Sequence, residues 1–330
     1  MKEIIKQILK EKLNNKPLNE ASSFAPINIA FIKYWGKDKD FKGLNVPYTP
    51  SISVSIPNKG TKTTIKLSEK DEVFLNGKSL DENDKFVKKL FAYIDLFRKD
   101  NEKFTIITEN QIATGAGLAS SASGFGALVK ALDKLYSWKL SDKELSILAR
   151  LGSGSASRSV YDNGFVEIVK DGAYTYAKPI QHSLKSLFMG FVIANNKQKE
   201  ISSRDGMNIT SETSIFYKKC WKDIVELDIK NMKLALEEGD FAKVGKIAQQ
   251  NCLNMHATMI SAGVIYWNGK TIETIKKIQN LQEQNVDIFF TIDAGANVKV
   301  FSEELSVIDR YFPDIEIIKI LHIITSDTNY

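Results

Sequence analysis

Residues 114–126 read TGAGLASSASGFG. The run carries only two large side chains, Leu118 and Phe125, so its shape must be set by its flanks. Upstream, KFTIITEN (103–110) has the β-branched and aromatic content of a strand. Downstream, GALVKALDKLY (126–136) places apolar residues at helical spacing. A strand feeding a helix through a Gly/Ser turn exposes the unpaired N–H groups and positive dipole end of that helix, which favour phosphate. Gly115 and Gly117 let a ligand approach the backbone, and Ser120, Ser121 and Ser123 add hydroxyl donors. No Gly-Lys-Ser/Thr follows, which excludes a Walker A loop, and the third Gly is misplaced for a dinucleotide fingerprint. Taken alone, the stretch reads equally as an anion cradle and as a close-packing corner.

The rest of the chain mixes strands and helices without strict alternation, which predicts an α+β fold rather than a doubly wound sheet. Strands are expected at APINIAFIK (25–33), SISVSI (51–56), TKTTIKL (61–67) and EVFLNGK with an Asn76-Gly77 turn. GFVEIV and AYTYAKPI read as a hairpin, and Ser141 with Glu144 as a capping box. In the second half a buried strand, LFMGFVIAN, precedes helices near 216–226, 229–238, 241–255 and 271–284. VDIFFTID and VKVF pair around AGAN, and a helix at 305–311 and the strand IEIIKILHI follow. The 330 residues suit two domains with a soft boundary near Gln181. The expected division is an amphipathic extension (1–20, with Ile4, Ile5, Ile8, Leu9 and Leu13 on one face), an N-terminal domain (21–180) and a C-terminal domain (181–330).

Composition narrows the function classes. No apolar run reaches the ~18 residues of a membrane span. The first twenty residues interleave Glu with their apolar positions, unlike a secretion signal. Two cysteines, Cys220 and Cys252, make no disulfide framework and fit a reducing cytoplasm. The net charge of +5 comes from lysines scattered among acids, which argues against a nucleic-acid face but suits a small, highly anionic substrate. His182, His256 and His322 show no metal-ligand spacing.

Other stretches carry chemistry-bearing residues. NIAFIKYWGK sets Lys33, Tyr34 and Lys37 at a strand end. LGSGSASRS puts small residues where a helix disfavours them, with Ser155 and Arg158 at i and i+3. SSRDGM sets Ser203 and Arg204 just before a helical segment, and Asp293 in TIDAGAN ends an apolar strand at a Gly turn.

These blocks, with MHAT and TIDAGANVKVF and in this order, resemble the GHMP kinase superfamily and, within it, the mevalonate diphosphate decarboxylases. IKYWGK and GSGSASRS are specific to the decarboxylases; the Gly/Ser loop is shared with the superfamily's kinases. The resemblance runs from Ala25 into the last strand and leaves the first twenty residues outside. It implies a two-lobed fold, with an N-terminal domain like ribosomal protein S5 domain 2 and a ferredoxin-like C-terminal domain. It implies MgATP-dependent phosphorylation of the C3 hydroxyl of mevalonate 5-diphosphate, then loss of phosphate and carbon dioxide to give isopentenyl diphosphate, in a cytoplasmic homodimer. By the same resemblance Asp293, Lys33 and Arg158 are catalytic, and Tyr34, Lys37, Ser155, Arg158, Ser203 and Arg204 hold the substrate. Gly115, Gly117, Leu118, Ala119, Ser120 and Ser121 hold the ATP phosphates; no Mg²⁺ ligand is assigned. Neighbouring activities in the superfamily are a decarboxylase of the monophosphate and a C3 kinase.

Overall fold

The computed structural model describes residues 1–99, 101–111, 120–195 and 200–322. Two sheets organise them. The first contains β1 (Glu20–Ile32), β2 (Ser51–Ser68), β3 (Glu72–Leu75), β4 (Lys78–Ser79), β5 (Lys103–Asn110), β6 (Phe165–Val169) and β7 (Tyr176–Ile180). Its order is β4-β3-β5-β2-β6-β7, with β1 on the other edge of β2. The second, in the order β11-β8-β10-β9, contains β8 (Ser186–Val192), β9 (Phe289–Ile292), β10 (Val298–Ser302) and β11 (Ile317–His322). Helices α1 (Lys2–Leu9), α2 (Lys85–Ile94), α3 (Ser120–Leu135) and α4 (Asp142–Gly152) belong to the first half. The second half has α5 (Ser203–Thr213), α6 (Lys222–Glu238), α7 (Phe241–Ile260), α8 (Gly269–Glu283) and α9 (Leu305–Tyr311). The fold is a mixed α+β arrangement in two domains, as expected. Among the described residues no helix is long and apolar enough to cross a membrane.

Local signals account for most of the elements. Asn76 and Gly77 both have positive φ, the requirement of a tight two-residue hairpin turn, and join β3 to β4. Ser141 and Glu144 close a reciprocal capping box at the start of α4, worth about 1 kcal/mol. GFVEIV and AYTYAKPI form the β6–β7 hairpin. Helix α1 buries Ile4, Ile5 and Leu9 in a core built largely from α2, α3 and α4. The segment after it is tied down by Trp138, whose indole N–H donates to the Lys12 carbonyl at 3.1 Å.

Beside shifts of several element ends and the unanticipated helix α2, three differences from the sequence reading have a clear structural cause. SISVSI and TKTTIKL belong to one strand, β2, because β1 pairs along both of them and carries the ladder past Pro57 with a register shift. The two helices expected at 216–226 and 229–238 are continuous: a π turn at Tyr217–Trp221 runs directly into α6. Ser203 and Arg204 lie inside the first turn of α5, not before it, because Ser202 is the N-cap and accepts from the Asp205 N–H at 3.1 Å.

One apolar core is shared between the two sheets. Ile27, Ile29 and Phe31 of β1 pack with Leu187 and Met189 of β8, Phe301 of β10 and residues of α6 and α7. The C-terminal end of β1 is therefore held against the β9–β10 hairpin, and Thr291 reaches the Ala30 carbonyl at 3.3 Å. That junction positions the site.

Candidate active site

A cleft of about 600 Å³ opens where β1, the turn after α4, the N-terminus of α5 and the β9–β10 turn converge. Lys33, Tyr34, Lys37, Ser121, Ser155, Arg158, Ser203, Arg204 and Asp293 all line it. The sequence reading thus named residues up to 260 positions apart that the fold brings together. Ser120 opens α3, while Gly115, Gly117, Leu118 and Ala119 lie outside the described residues.

The deep end is built on two strand ends. Lys33 leaves β1 with its N–H donating to Asn251 Oδ1 at 2.8 Å, and Asn251 in turn donates to Asp228 Oδ2 at 2.8 Å. The fully buried Asn251 of α7 so fixes where Lys33 emerges. Lys33 Nζ meets Asp293 Oδ1 at 2.8 Å, and Lys299 Nζ meets Asp293 Oδ2 at 3.0 Å. Both lysines are buried, whereas Asp293 is 37% exposed to the cleft. Burial alone raises the Asp293 pKa, but Lys299 and Lys33 together hold it well below the usual carboxylate range. Arg158, following the 3-10 turn Gly154–Ser157, is also buried and donates to Ser51 Oγ at 2.9 Å. Its burial draws its pKa down to about 10, against the opposing pull of Asp293. Arg158 is thus a desolvated guanidinium rather than a surface ion pair, and its Nε finds no protein acceptor among the described residues.

The mouth is a cation cluster. Lys37, Lys89 and Arg204 face the cleft from the β1 exit, α2 and α5. Partial burial, then Arg204 and Lys89, lower the Lys37 pKa to about 8; Lys89 is lowered by burial and by Arg204. Lys37 Nζ is held at 2.7 Å by Asn45 Oδ1, while Asn45 donates to the Arg150 and Leu151 carbonyls at the end of α4. Ser203 and Arg204 occupy the first turn of α5, where the helix dipole favours an anion. The Tyr34 hydroxyl is buried without a protein partner among the described residues, and burial pushes its pKa up to about 12. It therefore stays protonated, as a donor.

The π turn locks this wall. Tyr217 and Trp221 both donate to the Trp35 carbonyl, at 3.3 and 3.1 Å. Gly36 has φ +99°, and a Cβ there would collide with the Tyr217 hydroxyl. Gly is required at that position for both reasons.

Sequence reasoning missed Lys89, Asn45, Asn251 and Lys299. Lys89 sits among other lysines in DKFVKKLF, Asn45 precedes β2 in a loop with no motif, and Lys299 hides in the apolar strand VKVF. Only a positive φ (54°) singles out Asn45, and φ is a structural quantity. His256 is the expected packing group: its ring lies 4.5 Å from that of Trp267, and burial lowers its pKa to about 3. Cys252 is fully buried and accepts from the Ile292 N–H at 3.1 Å. Among the described residues no group of three or more His, Cys, Asp and Glu could hold a metal ion.

Residues 25–177 match the model of the diphosphomevalonate decarboxylase-like N-terminal domain, and residues 191–321 that of the mevalonate 5-diphosphate decarboxylase C-terminal domain. The chain belongs to the diphosphomevalonate decarboxylase family. The diphosphomevalonate decarboxylase of Candida albicans is 34% identical over 325 residues, covering 88% of each chain. Mevalonate diphosphate decarboxylase from Staphylococcus aureus superimposes with a TM-score of 0.85 at 33% identity, over 92% of this chain and 96% of that one. A further family structure, MDDEF in complex with MVAPP, AMPPCP and magnesium, has a TM-score of 0.82 at 33% identity, over 91% and 96%. The family assignment agrees with the resemblance carried by IKYWGK and GSGSASRS.

Proposed function

We propose that the chain decarboxylates mevalonate 5-diphosphate with ATP, giving isopentenyl diphosphate, ADP, phosphate and carbon dioxide. One observation carries the reading: a single cleft holds Arg158 and an Asp293 gripped by the buried Lys33 and Lys299, behind a mouth of three cations. A substrate with a diphosphate at one end and a carboxylate and tertiary hydroxyl at the other matches that polarity. Lys37, Lys89 and Arg204, with Ser203 on the α5 N-terminus and the Tyr34 hydroxyl, receive the diphosphate. Arg158 takes the carboxylate, with Ser155 beside it.

Asp293 then faces the C3 hydroxyl. A carboxylate neutralised by two ammonium groups is a weak base, so its principal work is to orient the hydroxyl oxygen toward the γ-phosphorus. In a loose phosphoryl-transfer transition state the alcohol proton leaves late; the oxygen is far more acidic once bonded to phosphorus, so even a weakly basic Asp293 can accept the proton then. The new O–P bond forms as the bond from the γ-phosphorus to ADP breaks, and Lys33 meets the charge on the transferring group. Phosphate then leaves C3 with its bonding pair. The C1–C2 pair moves to form the C2=C3 double bond, and carbon dioxide departs beside Arg158.

ATP fits the adjoining space. A second cavity of about 290 Å³ meets the cleft at Ser121 and is lined by Thr61, Thr63, Leu90, Thr108 and Asn110, which suits the nucleoside. Ser121, at the start of α3, lines both spaces, where the phosphates would pass between them. Mg²⁺ keeps several waters and binds chiefly through substrate phosphates, and Ser121 is a hydroxyl of this chain at the junction those phosphates would cross. The charge of the ion would offset that of the ATP phosphates.

The test compares isopentenyl diphosphate release from mevalonate 5-diphosphate with isopentenyl phosphate release from the monophosphate. Turnover of the monophosphate alone overturns the proposed substrate. ADP formation without carbon dioxide identifies a C3 kinase instead.

A further inference from the structure

Asp293 is gripped on both oxygens, and its two partners are not equivalent. Lys33 lines the cleft; Lys299 does not, and approaches from within the sheet. The register explains the approach. Lys299 pairs with Thr291 across the β9–β10 hairpin, and Asp293 lies two residues past Thr291 on the same face. The ammonium therefore comes diagonally to Oδ2 while Lys33 takes Oδ1 from the β1 side. A lysine 3% exposed in a strand between Val298 and Val300 is costly to bury, and among the described residues its ion-pair partner is Asp293. Charged and titratable groups facing Asp293 are Lys33, Lys299, Arg158 and, from α7, His256 and Cys252. His256 is neutral at pH 7, so three cations surround one anion there.

If Lys33 alone held Asp293, an incoming phosphoryl group would compete for that ammonium. The carboxylate would be left uncompensated beside a polyanionic substrate, free to turn or take up a proton. Taking Asp293 and Lys33 in their decarboxylase roles, we propose that Lys299 is a positioning residue that keeps hold of Asp293 Oδ2 throughout turnover. Lys33 can then exchange Oδ1 for the oxygens of the transferring phosphoryl group.

Two measurements on Lys299→Met and Lys299→Arg test this. In steady-state kinetics Lys299→Met is expected to lower kcat by about 10²-fold, the scale of losing one preorganised electrostatic partner, with KM for ATP and mevalonate 5-diphosphate within about threefold. Lys299→Arg, which keeps the cation, recovers at least about tenfold of that loss. In thermal melts, Asp293→Asn leaves two buried ammonium groups facing each other without an anion. Adding Lys299→Met to Asp293→Asn therefore raises its Tm by more than the same change does in the wild-type background. A kcat within threefold of wild type, a loss expressed in KM, no recovery by Arg, or equal Tm shifts in both backgrounds overturns the proposal. Should Lys299→Met alone not fold, Asp293→Asn/Lys299→Met decides: a Tm above that of Asp293→Asn supports the pairing, and a lower one overturns it. Failure of the decarboxylase reading itself looks different, because then the wild type is inert on this substrate or Asp293→Asn turns over normally.

Discussion

Lys37 should give the enzyme an alkaline limb in substrate capture, because its pKa in the free cleft is about 8 instead of 10.5. Partial burial is the largest cause, and repulsion from Arg204 and then Lys89 adds to it. The charged form binds a diphosphate, and a lowered pKa means that this form disappears as pH rises through 8. With that pKa, about nine-tenths of Lys37 is protonated at pH 7 and about one-tenth at pH 9. A phosphate's second ionisation lies near pH 6, so the substrate's own charge changes little in the same window. The quantity to measure is kcat/KM for mevalonate 5-diphosphate between pH 6.5 and 9.5 at saturating ATP, since it reports ionisations of the enzyme not yet carrying that substrate. Wild type should fall about tenfold from pH 7 to pH 9. Lys37→Met should lose about 10- to 100-fold at pH 7, the value of a charged hydrogen bond, and be nearly flat across the window. Lys89→Met, although weaker at pH 7, should move the limb to higher pH because one repelling charge is gone. A limb that persists unchanged in Lys37→Met, or that does not move in Lys89→Met, refutes the electrostatic account of the mouth.

Three more outcomes are expected from the site. Asp293→Asn should reduce decarboxylation by more than about 10³-fold while equilibrium binding of ATP stays within a few-fold, as the proposed placement of the carboxylate against the reacting hydroxyl requires. Arg158→Lys should lower kcat by more than about tenfold, since a point charge does not reproduce a planar fork; wild-type turnover in that variant removes the carboxylate clamp. Gly36→Ala should cost about 2–4 kcal/mol in denaturant unfolding, combining a left-handed backbone with a collision against Tyr217, and an unchanged midpoint contradicts the locked turn.

Much of this protein is legible before folding. Short-range devices survive intact: the Asn76-Gly77 turn, the capping box at Ser141 and the helix at 305–311 are set by neighbours within four residues. Recognisable motifs also name the cleft residues Lys33, Arg158 and Asp293. Of the elements that shifted, the strand is decided by a distant partner and the helix start by the neighbouring residue. SISVSI and TKTTIKL form one strand because β1 runs beside both, and Ser203 enters a helix because Ser202 caps it.

Residue order thus sets most of the elements and names many of the residues that line the cleft, because backbone preference and motif are local properties. How those residues are charged is settled only in the folded molecule. Asp293 is held ionised because Lys33 arrives from 260 residues away and Lys299 from across a hairpin, each brought within about 3 Å. Lys37 is drawn toward neutrality first by its partial burial, and further because α5 and α2 bring Arg204 and Lys89 to the same mouth. Coulomb interactions and desolvation depend on distance in space and on exposure to water, and neither is written in residue order.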